Sequence, residues 1–394
     1  MRTHWGVRVS LVISIAVFLL AGGAAGEPKK APIQIGAIHN VTGALGSIGK
    51  PSLAGALLAV KQLNKAGGVL GRSVELLARD GQSDPTVVAA IVRDLVHAPD
   101  LSAITGLNDT TMVLAAAPVS EKARMVFLTS EATSPLVPLQ FPQYYFMTCF
   151  GDNTQAAAGA EYSFGTIGAK TAWLLFDDMS DFTELLARYF RERYTELGGV
   201  IVGVDTYAGG ATDFSSQIAK ILALPAPPDM LYVSSGPDDI GRIIKQLRAA
   251  GLAQPIVGGD GYDTPLLVQV AGAAADNTYF TTHAFLDPQQ GTAAQRQFIA
   301  DYEVEYGAPP DTAFAALGYD AVMLIANAIE RASSAKQKSI PEALEATDDF
   351  AAVTGSISFG PGEHIPDKDV TVVKIVGATP TLAAVIRPQK VPAP

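Results

Sequence analysis

The chain has 394 residues, 48% of them hydrophobic, which is long enough for two domains with sizeable cores. Its 39 acidic residues outnumber 28 basic ones, and the net charge of −11 repels phosphate backbones and anionic lipid, excluding nucleic acid as a partner. A single cysteine, Cys149, rules out intramolecular disulfides; amid the aromatics of YYFMTCF it reads as a buried structural thiol.

Residues 1–26 have the layout of a cleaved secretory signal. Arg2 and Arg8 flank a short basic start, Val9 to Ala21 is apolar and uncharged, and small residues crowd Gly22 to Gly26. The run is too short and too poorly flanked for a stable membrane span. No cysteine follows it, so a lipid-attachment signature is missing. Cleavage near Gly26-Glu27 is expected to release a periplasmic protein.

From Pro32 onward, strand and helix patterns alternate almost without interruption, the signature of an α/β protein with parallel sheets. Ile33 to His39 is a β-rich run, and Pro51 to Asn64 carries Leu53, Leu57 and Val60 at helical spacing before Gly67-Gly68 stops it. Val74 to Asp80 is the next strand, and a helix follows Pro85. Then come two successive strand-to-helix junctions. Ser102 to Thr105 runs into Asn108-Asp109-Thr110-Thr111 and an alanine-rich helix; Val126 to Thr129 runs into Ser130-Glu131-Ala132-Thr133-Ser134-Pro135. Ligands sit outside the carboxyl ends of such strands. A hydroxyl residue there either caps the next helix or donates to an anion held at its N-terminus, and the two junctions together form a candidate carboxylate cradle.

Near Phe150-Gly151-Asp152 the pattern restarts. Ala172 to Asp178 is a strand, Thr183 to Leu197 a helix and Val200 to Tyr207 a strand. Asp213 starts a helix reaching Leu224, and Pro225 to Pro228 breaks the chain. Met230 to Ser234, a helix from Asp238 to Ala250, and Pro255 to Asp260 continue the series. Two βαβ arrays of similar size predict a bilobed protein with a ligand cleft between the lobes. The last third holds long helices at Thr292 to Tyr306 and Phe314 to Ala332, then strand runs at Ser356 to Phe359 and Val370 to Val376. From Ala378 the tail is weakly patterned and expected to fray.

No catalytic constellation stands out. His39, His97, His283 and His364 are scattered without metal-type spacing, and no G-x-S-x-G elbow or Walker lysine is present. The loop Gly43 to Gly49 is spaced G-x-x-G-x-x-G, not as a dinucleotide fingerprint, and export argues against a nicotinamide cofactor. No metal and no cofactor is expected. Asp260 ends an apolar strand, where a carboxyl either pairs with a ligand cation or caps the helix starting at Asp263-Thr264-Pro265.

Five segments in order resemble the substrate-binding proteins of branched-chain amino-acid ABC transporters, the leucine/isoleucine/valine-binding type. They are IGAIHNVTGALGSIGKPSLAGALLAVKQLNKAGG, LTSEATSP, TYAGGATDFSSQIAKI, IVGGDGYDTPLL and FAALGYDAVMLIANAIE. The resemblance implies a type I periplasmic binding protein with two Rossmann-like lobes joined by three hinge crossings. Lobe one would take residues 32–148 and 284–351, and lobe two residues 149–283 and 352–380, with 381–394 as a tail. It implies an amino-acid ligand, branched-chain or related, an ABC permease as membrane partner, a monomer, and no enzyme activity. It also implies that Thr110 and Thr133 receive the ligand carboxylate, that Glu131 offers backbone groups, and that Asp260 pairs with the ligand ammonium, with the neighbouring Thr111 and Ala132 as further ligand-binding candidates. Asp181 and Phe182 fall where an aromatic closes over the ligand. Gly236 and Ile48 stand where the family carries further aromatics, so the side-chain pocket departs from the family pattern. An amide, urea or aromatic acid is the alternative ligand, and an exported α/β enzyme the alternative class. The acids Asp109, Glu131 and Asp181 either suit a more polar or cationic ligand or, the bland reading, sit as solvated loop charges.

Overall fold

The computed structural model describes residues 30–394, so the expected signal segment 1–26 lies outside the described residues. The first sheet is built from β1 (Ile33–His39), β2 (Val74–Asp80), β3 (Leu101–Gly106), β4 (Phe127–Thr129) and β5 (Tyr145–Met147). They lie in the order β2-β1-β3-β4-β5 and all pairs are parallel. The continuous apolar runs of β1 and β3 follow from helices covering both faces: Ile33, Ile35, Ala37, Ile38, Ala103 and Ile104 are all fully buried.

The second sheet holds β6 (Thr171–Asp177), β7 (Val200–Tyr207), β8 (Met230–Ser234), β9 (Ile256–Gly258) and β10 (Thr278–Thr282). A small hairpin of β11 (Phe350–Ala352) and β12 (Gly355–Ile357) stands apart, and β13 (Val370–Val376) and β14 (Thr379–Ile386) complete the second sheet. Its order is β14-β13-β10-β9-β8-β6-β7, with β13 and β14 antiparallel to their neighbours.

The chain passes between the two sheets three times. It leaves the first after β5, returns after β10 to place helices Ala293–Tyr306 and Ala313–Arg331 against helix Gly46–Lys65, and crosses again before β13. Helix Ala313–Arg331, the one described helix apolar and long enough to cross a membrane, is buried in the first lobe.

Four details differ from the sequence reading. The tail does not fray at Ala378, because β14 pairs with β13 from Thr379 to Ile386, and Asn153 Nδ2 donates to the Pro392 carbonyl at 2.9 Å. The alternating, half-exposed pattern of an edge strand hid it. Residues 352–359 do not belong with the second lobe, because Ala352, Ile357 and Phe359 pack in the core under β1 and β3. The first helix begins at Gly46, before Pro51, because Gly49 N–H already bonds the Leu45 carbonyl at 2.9 Å. A helix at Asp152–Glu161, continued as a π-turn to Ile167, was not anticipated between the strands.

Candidate ligand-binding cleft

The carboxyl ends of strands from both sheets face each other across a cleft of about 340 Å³. Leu45, Ile48, Asn108, Thr110, Glu131, Thr133 and Phe314 wall it from the first lobe, and Phe182, Gly236, Arg242 and Asp260 from the second. A volume of that size suits a small solute, and the apolar walls with few convergent polar groups are what such sites require.

The first lobe brings its polar groups there through the two junctions. β3 must end in glycine: Gly106 has φ +111°, and a Cβ there would stand 2.0 Å from the Ile38 carbonyl oxygen. The chain then turns into helix Thr110–Ala123, whose cap is Asp109, its carboxyl accepting from Met112 N–H at 3.2 Å. Thr110 is therefore released from capping, and its buried Oγ1 has no partner within the protein. At the second junction no helix starts at Thr133. The next one, Leu136–Gln140, takes only a 3.4 Å bond from Leu136 N–H to Ser134 Oγ. Both threonines sit on the cleft wall with capping done by others, so plain capping does not account for them.

Asn108 and Glu131 complete this wall. Asn108 Oδ1 accepts from Asn40 Nδ2 at 2.8 Å, while its own Nδ2 is buried without a partner. Glu131 is 1% exposed, which corrects its reading as a solvated loop charge. Ser52 Oγ, on the first helix, hydrogen-bonds its Oε1, and Oε2 has no partner. Burial pushes the Glu131 carboxyl up to about 8, so it is largely protonated at neutral pH.

From the second lobe, Asp260 enters buried and firmly held. Its Oδ1 accepts from Gln155 Nε2 and its Oδ2 contacts His283 Nε2, each at 3.0 Å, while its N–H donates to Gln155 Oε1 at 3.2 Å. Thr281 Oγ1 fixes Gln155 in turn at 2.9 Å. Burial lowers the His283 pKa despite the neighbouring carboxyl, so the ring is neutral and serves as a donor. Two donors occupy half the acceptor sites of a carboxylate, leaving lone pairs for a ligand. The cap of helix Pro265–Ala271 is Thr264, accepting from Leu266 N–H at 3.3 Å, so Asp260 is not spent on capping either.

The remaining expected residues divide. Phe182 lines the cleft, and so does Gly236, where a Cβ would meet no atom within 4 Å. Thr111 lines it too, donating across the lobes to Asp181 Oδ2 at 3.3 Å. Asp181 is exposed and forms no part of the wall. Ala132 is a correction: it is buried in the first-lobe core, with its N–H bonded to Thr129 Oγ1 at 3.1 Å and its carbonyl to Cys149 Sγ at 3.3 Å. Its backbone is used by the fold.

Sequence reasoning missed Phe314, Asn108, Arg242, Ser52, Gln155 and His283. Arg242 pairs with Asp239 beside Gly236, the one lysine or arginine among the cleft-lining residues described. The alanine-rich run after Gly151 could have revealed the helix that carries Gln155.

The family model described as "Periplasmic binding protein" matches residues 32–380. A leucine-, isoleucine-, valine-, threonine-, and alanine-binding protein of Pseudomonas aeruginosa is 26% identical over 358 residues, 91% of this chain and 93% of its own. Among solved structures, the branched-chain amino acid transporter substrate binding protein LivJ of Streptococcus pneumoniae, in complex with isoleucine, is 31% identical. It superposes with a TM-score of 0.84, covering 91% of this chain and 100% of that one. A solute binding protein of an ABC transporter from R. palustris, in complex with benzoate, shares the fold at 22% identity and a TM-score of 0.78, over 91% and 97% of the two chains.

Proposed function

The chain belongs to the periplasmic binding protein family, and we propose that it captures an amino acid, branched-chain or related, between its lobes. Its general role is that of a solute-binding protein serving an ABC permease, a role that argues against catalysis. The observation that carries the amino-acid reading is the pairing of complementary polar ends on opposite walls. An unpartnered buried threonine hydroxyl, Thr110 Oγ1, stands at a helix start on one side, and the oriented Asp260 carboxyl on the other. The first suits a ligand carboxylate and the second an ammonium. The named Pseudomonas and Streptococcus relatives support the same ligand class.

A ligand of another class, an aromatic acid, is favoured by one observation. Gly236 leaves open space on the cleft wall, and a protein of the same fold holds benzoate. Thermal-shift and calorimetric screening of the purified protein against L-amino acids, their amides, urea and aryl acids separates the readings. Micromolar binding of an L-amino acid is expected, and binding of benzoate with all amino acids inert would overturn the proposal. We further propose that the protein is a periplasmic monomer released by cleavage near Gly26-Glu27. Intact-mass measurement of exported protein should show loss of the leader; a mature protein retaining Met1 would refute it.

A further inference from the structure

We infer that Glu131 is a second carboxyl contact for the ligand's ammonium group, on the wall opposite Asp260, and that capture of the ligand expels a proton from the cleft. This inference rests on the amino-acid reading above and deepens it. Three observations support it. Glu131 is almost wholly buried and lines the cleft with Oε2 unpartnered, although its other oxygen is fixed by Ser52. Glu131 and Asp260 line the same cleft from opposite lobes, and the Asp260 charge adds, after burial, to the rise of the Glu131 carboxyl, so the two carboxyls share one neighbourhood. Asp260 has acceptor capacity left after Gln155 and His283 have bonded it.

The chemistry follows from those positions. With the cleft open to no cation, burial keeps a proton on Glu131, whose pKa stands at about 8. An ammonium placed between Glu131 and Asp260 favours the ionised form of Glu131, which then makes a charge-assisted hydrogen bond as Asp260 does. The Glu131 proton leaves to solvent, and the net charge added to the cleft by binding is cut by one unit. The other titratable groups around this corner are Asp109 on the cleft wall, raised by burial, Asp152 and Cys149 on the first crossing, Tyr232 and Asp263 in the second lobe, His283 on the second crossing and Lys368 on the third. Asp152 is itself pushed up to about 8 by burial and by Asp260, so it is a competing source of a released proton. It lies outside the cleft wall, where a ligand does not touch it.

Because Glu131 stands on the first lobe and Asp260 on the second, the same ammonium would tie the lobes together. Ligands lacking the amine gain nothing from this arrangement. Glu131 thereby becomes a specificity-determining residue, selecting amines over simple acids.

Isothermal titration calorimetry with the L-amino acid that gives the largest thermal shift tests this directly. Titrations at pH 7 in phosphate and in Tris, buffers with very different ionisation enthalpies, report the protons released per ligand. Release of most of one proton is expected, with affinity rising as pH approaches 8 and levelling beyond. In Glu131→Gln the release should vanish and affinity should lose its rise with pH. The deaminated analogue of the same ligand should bind weakly, with no proton release. An amino acid that binds the native protein without buffer-dependent enthalpy would overturn this inference and leave the amino-acid reading intact. Release persisting in Glu131→Gln would assign the proton to another group, Asp109 or Asp152, and would also overturn it. Failure of every amino acid to bind would sink both.

Discussion

Asp260 and Thr110 concentrate the proposed recognition in two side chains, and their removal should have unequal consequences. Asp260→Asn keeps the shape and removes the charge facing a ligand ammonium. Breaking such a buried pair costs about 2–5 kcal/mol, or roughly thirty- to several-thousand-fold in affinity. It should also lower stability, because an amide cannot accept from Gln155 and His283 as the carboxyl does. Thr110→Val removes a hydroxyl that bonds nothing else in the protein, so about 1–3 kcal/mol of binding should go with the melting temperature nearly unchanged. Calorimetric titration and thermal melts on both variants check this; equal affinities across native protein and variants would contradict it.

The same corner sets a pH dependence of stability. Burial raises Glu131 from 4.5 and Asp152 from 3.8, both to about 8. The folded form thus holds protons that the unfolded chain has already lost, and stability falls as pH rises from about 4 to about 8. His39 acts oppositely, because burial lowers it from 6.5 to about 4, and His283 and His364, also lowered by burial, act with it. This effect fades above pH 6.5 as the unfolded imidazoles lose their protons. Between about 6.5 and 8 the two carboxyls outweigh that fading opposition, each worth at most about 1.4 kcal/mol per pH unit. The ligand-free protein should therefore melt at progressively lower temperature over that interval, and Glu131→Gln should flatten part of the slope. A melting temperature that climbs from pH 6.5 to 8 would refute the assignment.

Helix Gly46–Lys65 and helix Ala313–Arg331 cross more closely than side chains normally permit. A Cβ on Gly55 would stand 1.8 Å from the Ala315 carbonyl oxygen, and one on Gly318 would stand 2.1 Å from that of Ser52. Backbone atoms cannot rotate away, so Gly318→Ala forces the helices apart at an overpacking cost of about 1–3 kcal/mol. These helices also carry Ile48, Ser52 and Phe314 to the cleft, so ligand affinity should weaken along with stability. Urea denaturation and titration of Gly318→Ala test the two effects, and a variant as stable as the native protein would show that the contact relaxes freely. At this scale much was legible beforehand. Strands with apolar runs, glycine stops and hydroxyl-bearing junctions announced both sheets and the junctions that carry Thr110 and Thr133, while the ligand role of Asp260 came only from the family resemblance. Less visible was what depends on tertiary packing: that Asp109 and Ser134 would take over capping, that Glu131 would be buried against Ser52, and that Ala132 would face the core. β14 escaped because an edge strand needs only one apolar face.

The whole molecule is organised around its three crossings. Lys368, on the third, is buried and donates to the Thr148 carbonyl at 3.1 Å and to Thr354 Oγ1 at 2.6 Å, tying the third crossing to the first. On the first and second, Phe150 and His283 stack with ring centroids 4.0 Å apart. These packed, hydrogen-bonded crossings join the lobes, and the cleft lies between the lobes beyond them. The direct bond from Thr111 to Asp181 across the mouth is long at 3.3 Å and solvent-exposed, so it contributes little to closure. A ligand contacting both walls supplies the differential free energy that favours the closed arrangement. Small-angle scattering should therefore show a smaller radius of gyration once a ligand from the screen saturates the protein. Thr111→Val should compact as fully as native protein, while Asp260→Asn should need far more ligand to do so. A scattering curve unchanged at saturation, with binding verified by calorimetry, would place the ligand outside the inter-lobe cleft.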